Sequence, residues 1–201
     1  NRILTDHSSR LLFSPTFEGV RNLKKESIDS SLVFHCGDIM YDNSLYYHQK
    51  AKVKSRILHE NGLFQNDFIF FTCHRPSNTD RRENLTQIFQ ALKILGEKNN
   101  KKIVFPVHPR TKKQILTLFG KSFVKQELSG FLLLPPVSFL DTIMLISNAD
   151  IIITDSGGIQ KEAYFFNKKS LILREETEWV EILDAKAALL VGAEKERIID
   201  G

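Results

Sequence analysis

Short apolar runs recur along the chain without polar alternation, at positions 68–71, 103–105, 131–134, 151–153, 171–173 and 187–191. Strands covered by helices on both faces carry that signature, so the runs predict a parallel sheet. Segments of helical spacing lie between them. Leu85, Ile88, Phe89, Leu92 and Leu95 repeat at intervals of three and four behind Asp80 and Glu83, which have the form of a capping box. Ser138 with Asp141 repeats the start signal ahead of Leu140, Ile143 and Met144, and Ile159, Ala163 and Phe166 mark another apolar stripe. Alternating strands and helices predict a right-handed, doubly wound parallel α/β sheet. The first 36 residues read as the last units of a preceding α/β domain: a helix-sized stretch, an apolar run at 11–13, a break at Pro15, a helix from Phe17 and a strand at 32–34. The expected division is therefore 1–36 and 37–201. Gly37-Asp38 punctuates the chain there, ahead of a polar-rich helical segment that runs toward Asn61-Gly62.

The 201 residues are 42% hydrophobic and 26% charged, a core-forming balance that excludes a disordered tail or a disulfide miniprotein. The 28 Lys and Arg exceed the 24 Asp and Glu only to a net +4, in mixed order, so a nucleic-acid partner is not expected. Cys36 and Cys73 sit inside apolar stretches without metal-ligand spacing, which predicts reduced thiols and no metal. No apolar run approaches the roughly 18 residues of a membrane span, and a signal peptide is not expected. A cytoplasmic protein without a membrane partner is expected. The chain starts at Asn1 and stops at Asp200-Gly201, which reads as a piece of a longer protein.

In an open parallel sheet, ligands gather beyond the carboxyl ends of the strands, so polar residues just after each run carry the candidate chemistry. The first candidate is Thr154-Asp155-Ser156-Gly157-Gly158-Ile159-Gln160-Lys161-Glu162, which leaves a strand and opens a helix. Its glycines remove side-chain bulk where unpaired amides and the helix dipole would favour a phosphate. A plain turn, capped by Asp155 or Ser156, explains the same residues equally well. A carboxylate repels phosphate, so Asp155 is assigned to capping and to holding the turn, with Ser156, Gly157 and Gly158 at the ligand. Glu162 lies one turn inside the helix, where it could accept from both hydroxyls of a ribose; taken alone, it reads as a solvated surface residue. The second candidate is Thr72-Cys73-His74-Arg75, pairing a group that titrates near neutrality with a fixed guanidinium fork. Pro106-Val107-His108-Pro109-Arg110-Thr111, a proline-fixed loop that leaves His108 and Arg110 near the same rim, is the third. The fourth is the charged loop from Arg174 to Glu181, with the single tryptophan, Trp179.

These motifs, together with Pro135-Pro136-Val137-Ser138-Phe139-Leu140, Asn78-Thr79-Asp80, Glu83-Asn84-Leu85, Gly37-Asp38 with Asp42, and Asn1-Arg2 with Thr5-Asp6-His7, resemble the non-hydrolysing UDP-N-acetylglucosamine 2-epimerase family along the whole chain. The resemblance implies two Rossmann-like domains in the B-type glycosyltransferase arrangement, of which this chain would hold the end of the first and most of the second. It implies inversion at C2 of UDP-N-acetylglucosamine or a related UDP-acetamido sugar, by elimination and re-addition of UDP, without a cofactor and in a homodimer. By position, His74 matches the family's active-site histidine, and Ser156, Gly157 and Gly158 match its diphosphate turn. Arg75 stands beside His74 as a further substrate contact, and Glu162 matches the ribose-binding glutamate, which reverses the surface reading. The family's catalytic carboxylates would precede Asn1, so an isolated piece of this extent is expected to be nearly inactive. Trp179 stands where many members have Arg, a form closer to members that act on diacetamido uronates. A UDP-sugar glycosyltransferase of the same architecture and a non-catalytic UDP-binding module remain the alternative readings.

Overall fold

The computed structural model describes residues 1–201, apart from the side chains of residues 124 and 125. It divides into two compact units, Asn1–Tyr46 and Tyr47–Gly201.

In the first unit, α1 (Arg2–Ser8) precedes β1 (Leu12–Ser14), α2 (Phe17–Lys25) and β2 (Val33–His35). The two strands pair in parallel, Leu12 with Val33 and Ser14 with His35, so β1-α2-β2 is one crossover unit. Thr16 accepts from the Gly19 amide to start α2, and Leu23 packs with Leu12 and Ile28 in a small core. The chain leaves this unit along α3 (Ile39–Lys54).

The second unit holds α4 (Ile57–Glu60), β3 (Phe68–Thr72), α5 (Pro76–Thr79), α6 (Arg82–Asn99), β4 (Lys102–Pro106), α7 (Pro109–Gln126) and β5 (Phe131–Leu134). It continues through α8 (Phe139–Asn148), β6 (Ile151–Thr154), α9 (Gly157–Phe165), β7 (Ser170–Ile172), α10 (Val180–Asp184), β8 (Ala188–Leu190) and α11 (Lys195–Asp200). Each apolar run read from the sequence forms a strand. All of them pair in parallel, in the order β5-β4-β3-β6-β7-β8. The chain winds outward from β3 to β5, returns to the middle at β6, and winds outward the other way to β8. The α/β doubly wound class predicted from the pattern is the observed one, and β3 beside β6 is its topological switch point.

Alternation along the buried strands sorts the core into two layers. Ile69, Phe71, Ile103 and Phe105 pack with Leu85, Ile88, Phe89 and Leu92 of α6, while Phe68, Phe70, Val104 and Ile152 pack with Leu145, Ile146 and Ala163 of α8 and α9. All five residues of β3 are buried. Such side chains contribute on the order of 1.5–3 kcal/mol each by leaving water, which holds the strand ends that carry the site in place.

Helix starts conform less closely. Ser138 accepts from the Asp141 amide and opens α8 as expected. The Asp80 and Glu83 pair does not form a capping box. Asp80 ends α5, and its carboxylate is taken by Arg110 at 2.8 Å and Gln114 at 2.8 Å, so α6 starts at Arg82 behind an uncapped Arg81. Long-range donors outcompete the local amide. The proline-rich stretch around His108 is likewise a helix start and not an extended loop: Pro109 occupies the first turn of α7, and the His108 ring accepts from the Arg110 amide. Proline suits that position because its missing N–H would have had no partner there.

Candidate functional site

Two chain segments meet at the switch point. At the end of β3, Thr72 Oγ1 lies 2.7 Å from Thr154 Oγ1 of β6, and Thr154 Oγ1 accepts from the Ser156 amide at 3.0 Å. One position further on, Asp155 is fully buried and takes four contacts from the β3 loop. It accepts from the His74 amide through both oxygens at 3.0 and 3.1 Å, from the Arg75 amide at 2.9 Å and from Asn78 Nδ2 at 3.2 Å. Asn78 Nδ2 also donates to the Leu173 carbonyl at 3.0 Å, which brings in the end of β7. Asp155 therefore does not cap its own helix. Its carboxylate locks the His74-Arg75 loop against the β6 turn, an arrangement that needs amides from 80 residues away and has no signature in local sequence.

Ser156 is the N-cap of α9, accepting from the Ile159 amide. The Gly157 and Gly158 amides then meet no acceptor among the described residues and stand at the positive end of the helix, Gly158 exposed and Gly157 half-buried. The two glycines differ. A Cβ at Gly158 would meet nothing nearer than Ser156 Oγ at 4.0 Å, whereas one at Gly157 would collide with Glu178 Oε1. Gly157 leaves room for the protein's own loop, whereas the space at Gly158 is open.

The His74 side chain is 43% exposed, with Nε2 3.8 Å from Asp155 Oδ1 and its ring centroid 6.5 Å from that of His108. Arg75 lines a polar cavity of about 460 Å³ with Arg81, Asn84, Arg174 and Glu175. Arg110, placed on the same rim by its sequence position, is committed to Asp80 instead. A cavity of about 610 Å³ between α7 and the end of β5, lined by Val107, Ile115, Leu116, Leu134 and Pro135, is larger and apolar but reaches none of these groups.

Glu162 is not a solvated surface residue. It is buried one turn into α9, and burial pushes its carboxyl up to about 7. Burying a carboxylate is costly unless donors reach it, so hydroxyl donors would suit the position. Cys73, beneath the loop, is raised well above the usual thiol range by burial and by Asp155, and has no part in thiolate chemistry. Among the described residues, no three His, Cys, Asp or Glu side chains converge as a metal site, and no helix is long and apolar enough to cross a membrane. The structure thus gathers Ser156, Gly157, Gly158, His74, Arg75 and Glu162 around one turn of α9 and its neighbouring strand end.

The family model for UDP-N-acetylglucosamine 2-epimerase matches residues 1–201. A Methanococcus maripaludis protein described as a UDP-N-acetylglucosamine 2-epimerase homolog is 43% identical over the whole chain. The Pseudomonas aeruginosa UDP-2,3-diacetamido-2,3-dideoxy-D-glucuronate 2-epimerase is 38% identical, again over all of the chain. The Methanocaldococcus jannaschii UDP-GlcNAc 2-epimerase, solved in complex with UDP-GlcNAc and UDP, superimposes with a TM-score of 0.90 at 34% identity. The chain spans about half the length of these relatives, 55%, 53% and 55% in turn. On the full extent of the match and the shared α/β sheet, the chain belongs to the UDP-N-acetylglucosamine 2-epimerase family.

Proposed function

We propose that the protein to which these 201 residues belong inverts C2 of UDP-N-acetylglucosamine or of a related UDP-acetamido sugar, and that this chain supplies its nucleotide site. The observation that carries the reading is the start of α9, where the Gly157 and Gly158 amides meet no acceptor among the described residues, with the buried Glu162 one turn deeper. That set complements a uridine diphosphate. The amides and Arg75 take the diphosphate, and Glu162 takes the ribose hydroxyls. His74, held by Asp155, stands where it can stabilise or protonate the departing group.

The chemistry explains why such a site is needed. The proton at C2 of the sugar is not next to a carbonyl, so its direct removal would leave an unstabilised carbanion. Elimination avoids this: the C2–H bond gives up its proton to a base, the C1–O bond breaks, and UDP carries off the electron pair as a glycal forms. Reprotonation at the opposite face of C2 and return of UDP to C1 complete the inversion. Negative charge develops on the diphosphate, where fixed amides and cations lower the barrier most. We assign the acid and base carboxylates to the preceding domain, in line with the family resemblance. General acid–base assistance contributes typically 10²- to 10⁴-fold, so the 201 residues alone should bind UDP and turn over poorly. The division into an N-terminal end, 1–36, and a nucleotide domain, 37–201, and assembly as a homodimer, belong to the same proposal. Two unpaired thiols agree with a reducing compartment such as the cytoplasm.

Incubation of the full-length protein with UDP-N-acetylglucosamine in deuterated water tests the reaction. An epimerase places deuterium at C2 of both epimers. A glycosyltransferase or a UDP-binding module leaves C2 unlabelled, and that outcome would overturn the proposal. The diacetamido glucuronate acted on by the Pseudomonas aeruginosa relative is the second substrate for the same assay, because Trp179 stands in the loop beside α9.

A further inference from the structure

The loop between β7 and α10 is fastened to the first turn of α9 at three points. Thr177 Oγ1 donates to Gln160 Oε1 at 2.6 Å, the Trp179 indole N–H donates to the Gly157 carbonyl at 3.0 Å, and the Lys161 ammonium lies 4.2 Å from the Trp179 ring centroid. The Trp179 amide also donates to Thr177 Oγ1 at 3.2 Å, closing the loop on itself. Held between these anchors, the Glu178 side chain lies against Gly157 in the space a Cβ would need. Its Oε2 is 2.8 Å from Nη1 of Arg174.

Three features of this contact belong together. The Glu178 carboxylate stands at the positive end of α9, the place that electrostatics gives to an anion. The Arg174 side chain is only 11% exposed, and its Nη1 meets Glu178 without the geometry of a proper hydrogen bond, so the guanidinium is held by an imperfect ion pair beside the polar cavity it lines. Glu178 itself is 44% exposed, so a rotation of its side chain carries the carboxylate into water while Thr177 and Trp179 keep the backbone fixed. Partial burial pushes the Glu178 carboxyl up, but its own backbone amide, Arg174 and Arg75 outweigh this and hold it below the usual range, so it is ionised near neutrality.

We propose that Glu178 is a resident counter-anion of the diphosphate site: it covers Gly157 and neutralises Arg174 in the free protein, and it swings out when a diphosphate enters, handing Arg174 to the incoming group. The inference rests on the nucleotide reading of the site and adds to it a displacement step and a further phosphate ligand. Two anions a few ångströms apart repel, and one of them must leave. A diphosphate, with more charge to offer α9, Arg75 and Arg174 together, displaces the single carboxylate. The resident group then weakens binding of the free nucleotide and keeps weaker anions from settling on the open amides.

Calorimetry on the full-length protein, with UDP and with uridine as probes, tests this. Glu178→Gln keeps the shape and removes the charge. UDP should bind about threefold to tenfold more tightly to it, the range of a partly screened charge contact, while uridine affinity stays within about twofold. Glu178→Ala should show the same gain, and serves if the Gln variant unfolds. Unchanged or weaker UDP binding by the variants, or an equal gain for uridine, would overturn the inference while leaving the nucleotide site standing. Absence of UDP binding in the natural and variant proteins alike would remove the nucleotide reading, and the inference with it.

Discussion

At the ends of β4 and β6 the chain makes the same move, from a buried parallel strand into a helix, and the two helix starts are finished differently. After β4, Pro109 removes one amide from the first turn of α7 and the His108 ring accepts another, from Arg110. After β6, Ser156 caps only the Ile159 amide, and the Gly157 and Gly158 amides are left for something else. Both helices present a positive end to the same rim. The difference lies in which amides the protein has already used, and that decides where an anion can be held.

The most damaging change to this contrast is Gly158→Asp, which sets a side chain and a negative charge in the open space above the second free amide. UDP affinity of the full-length protein should fall by about 100-fold or more in calorimetry, since a charge-assisted contact is lost and a repulsion gained. Unchanged affinity would place the diphosphate elsewhere.

Glu162→Gln tests the deeper part of the open turn. The folded carboxyl lies at about 7, against 4.5 for the exposed group, because burial disfavours its ionised form. The protonated acid is thus the form the fold prefers. Its contribution to stability is fully present below the unfolded value and is lost as pH rises through the folded one. Chemical unfolding of the ligand-free natural protein should show stability falling between about pH 5 and 7.5 by about 1–3 kcal/mol from this group. The Gln variant should lack that slope. An identical slope in both proteins would remove Glu162 from the account.

His108→Ala acts on the sealed turn and should cost least. Loss of the cap should lower stability by about 1 kcal/mol in thermal unfolding, with UDP affinity changed less than twofold. A large loss of UDP affinity would mean that the turn after β4 also serves the nucleotide.

The apolar runs made the sheet legible, because strands buried on both faces leave no room for polar alternation, and each run became a strand of the second unit. The helix start at Ser156 was legible for a related reason: a strand followed at once by glycines and a helix stripe marks a strand-to-helix turn, although the same residues fit a plain turn and an anion site equally well. Asp155 was not. Its partners, His74, Arg75 and Asn78, are 77 to 81 residues away in sequence and meet it only through the pairing of β3 with β6. Asp80 misled for the same reason, since Arg110 and Gln114 reach it from α7 and take the carboxylate that local spacing assigned to a helix cap. Glu162 looked like a surface residue by itself, and only the packing of α9 against the sheet reveals it as buried. Glu178 sits in a charged loop whose composition suggests solvent, while its position is set by Thr177 and Trp179 gripping the neighbouring helix.

A structure of the full-length protein with UDP bound tests the central claim most directly. The account places diphosphate oxygens within about 3 Å of the Gly157 and Gly158 amide nitrogens, the usual hydrogen-bond separation, with the ribose hydroxyls on Glu162. UDP held at another part of the molecule, with those two amides still facing water, would contradict it.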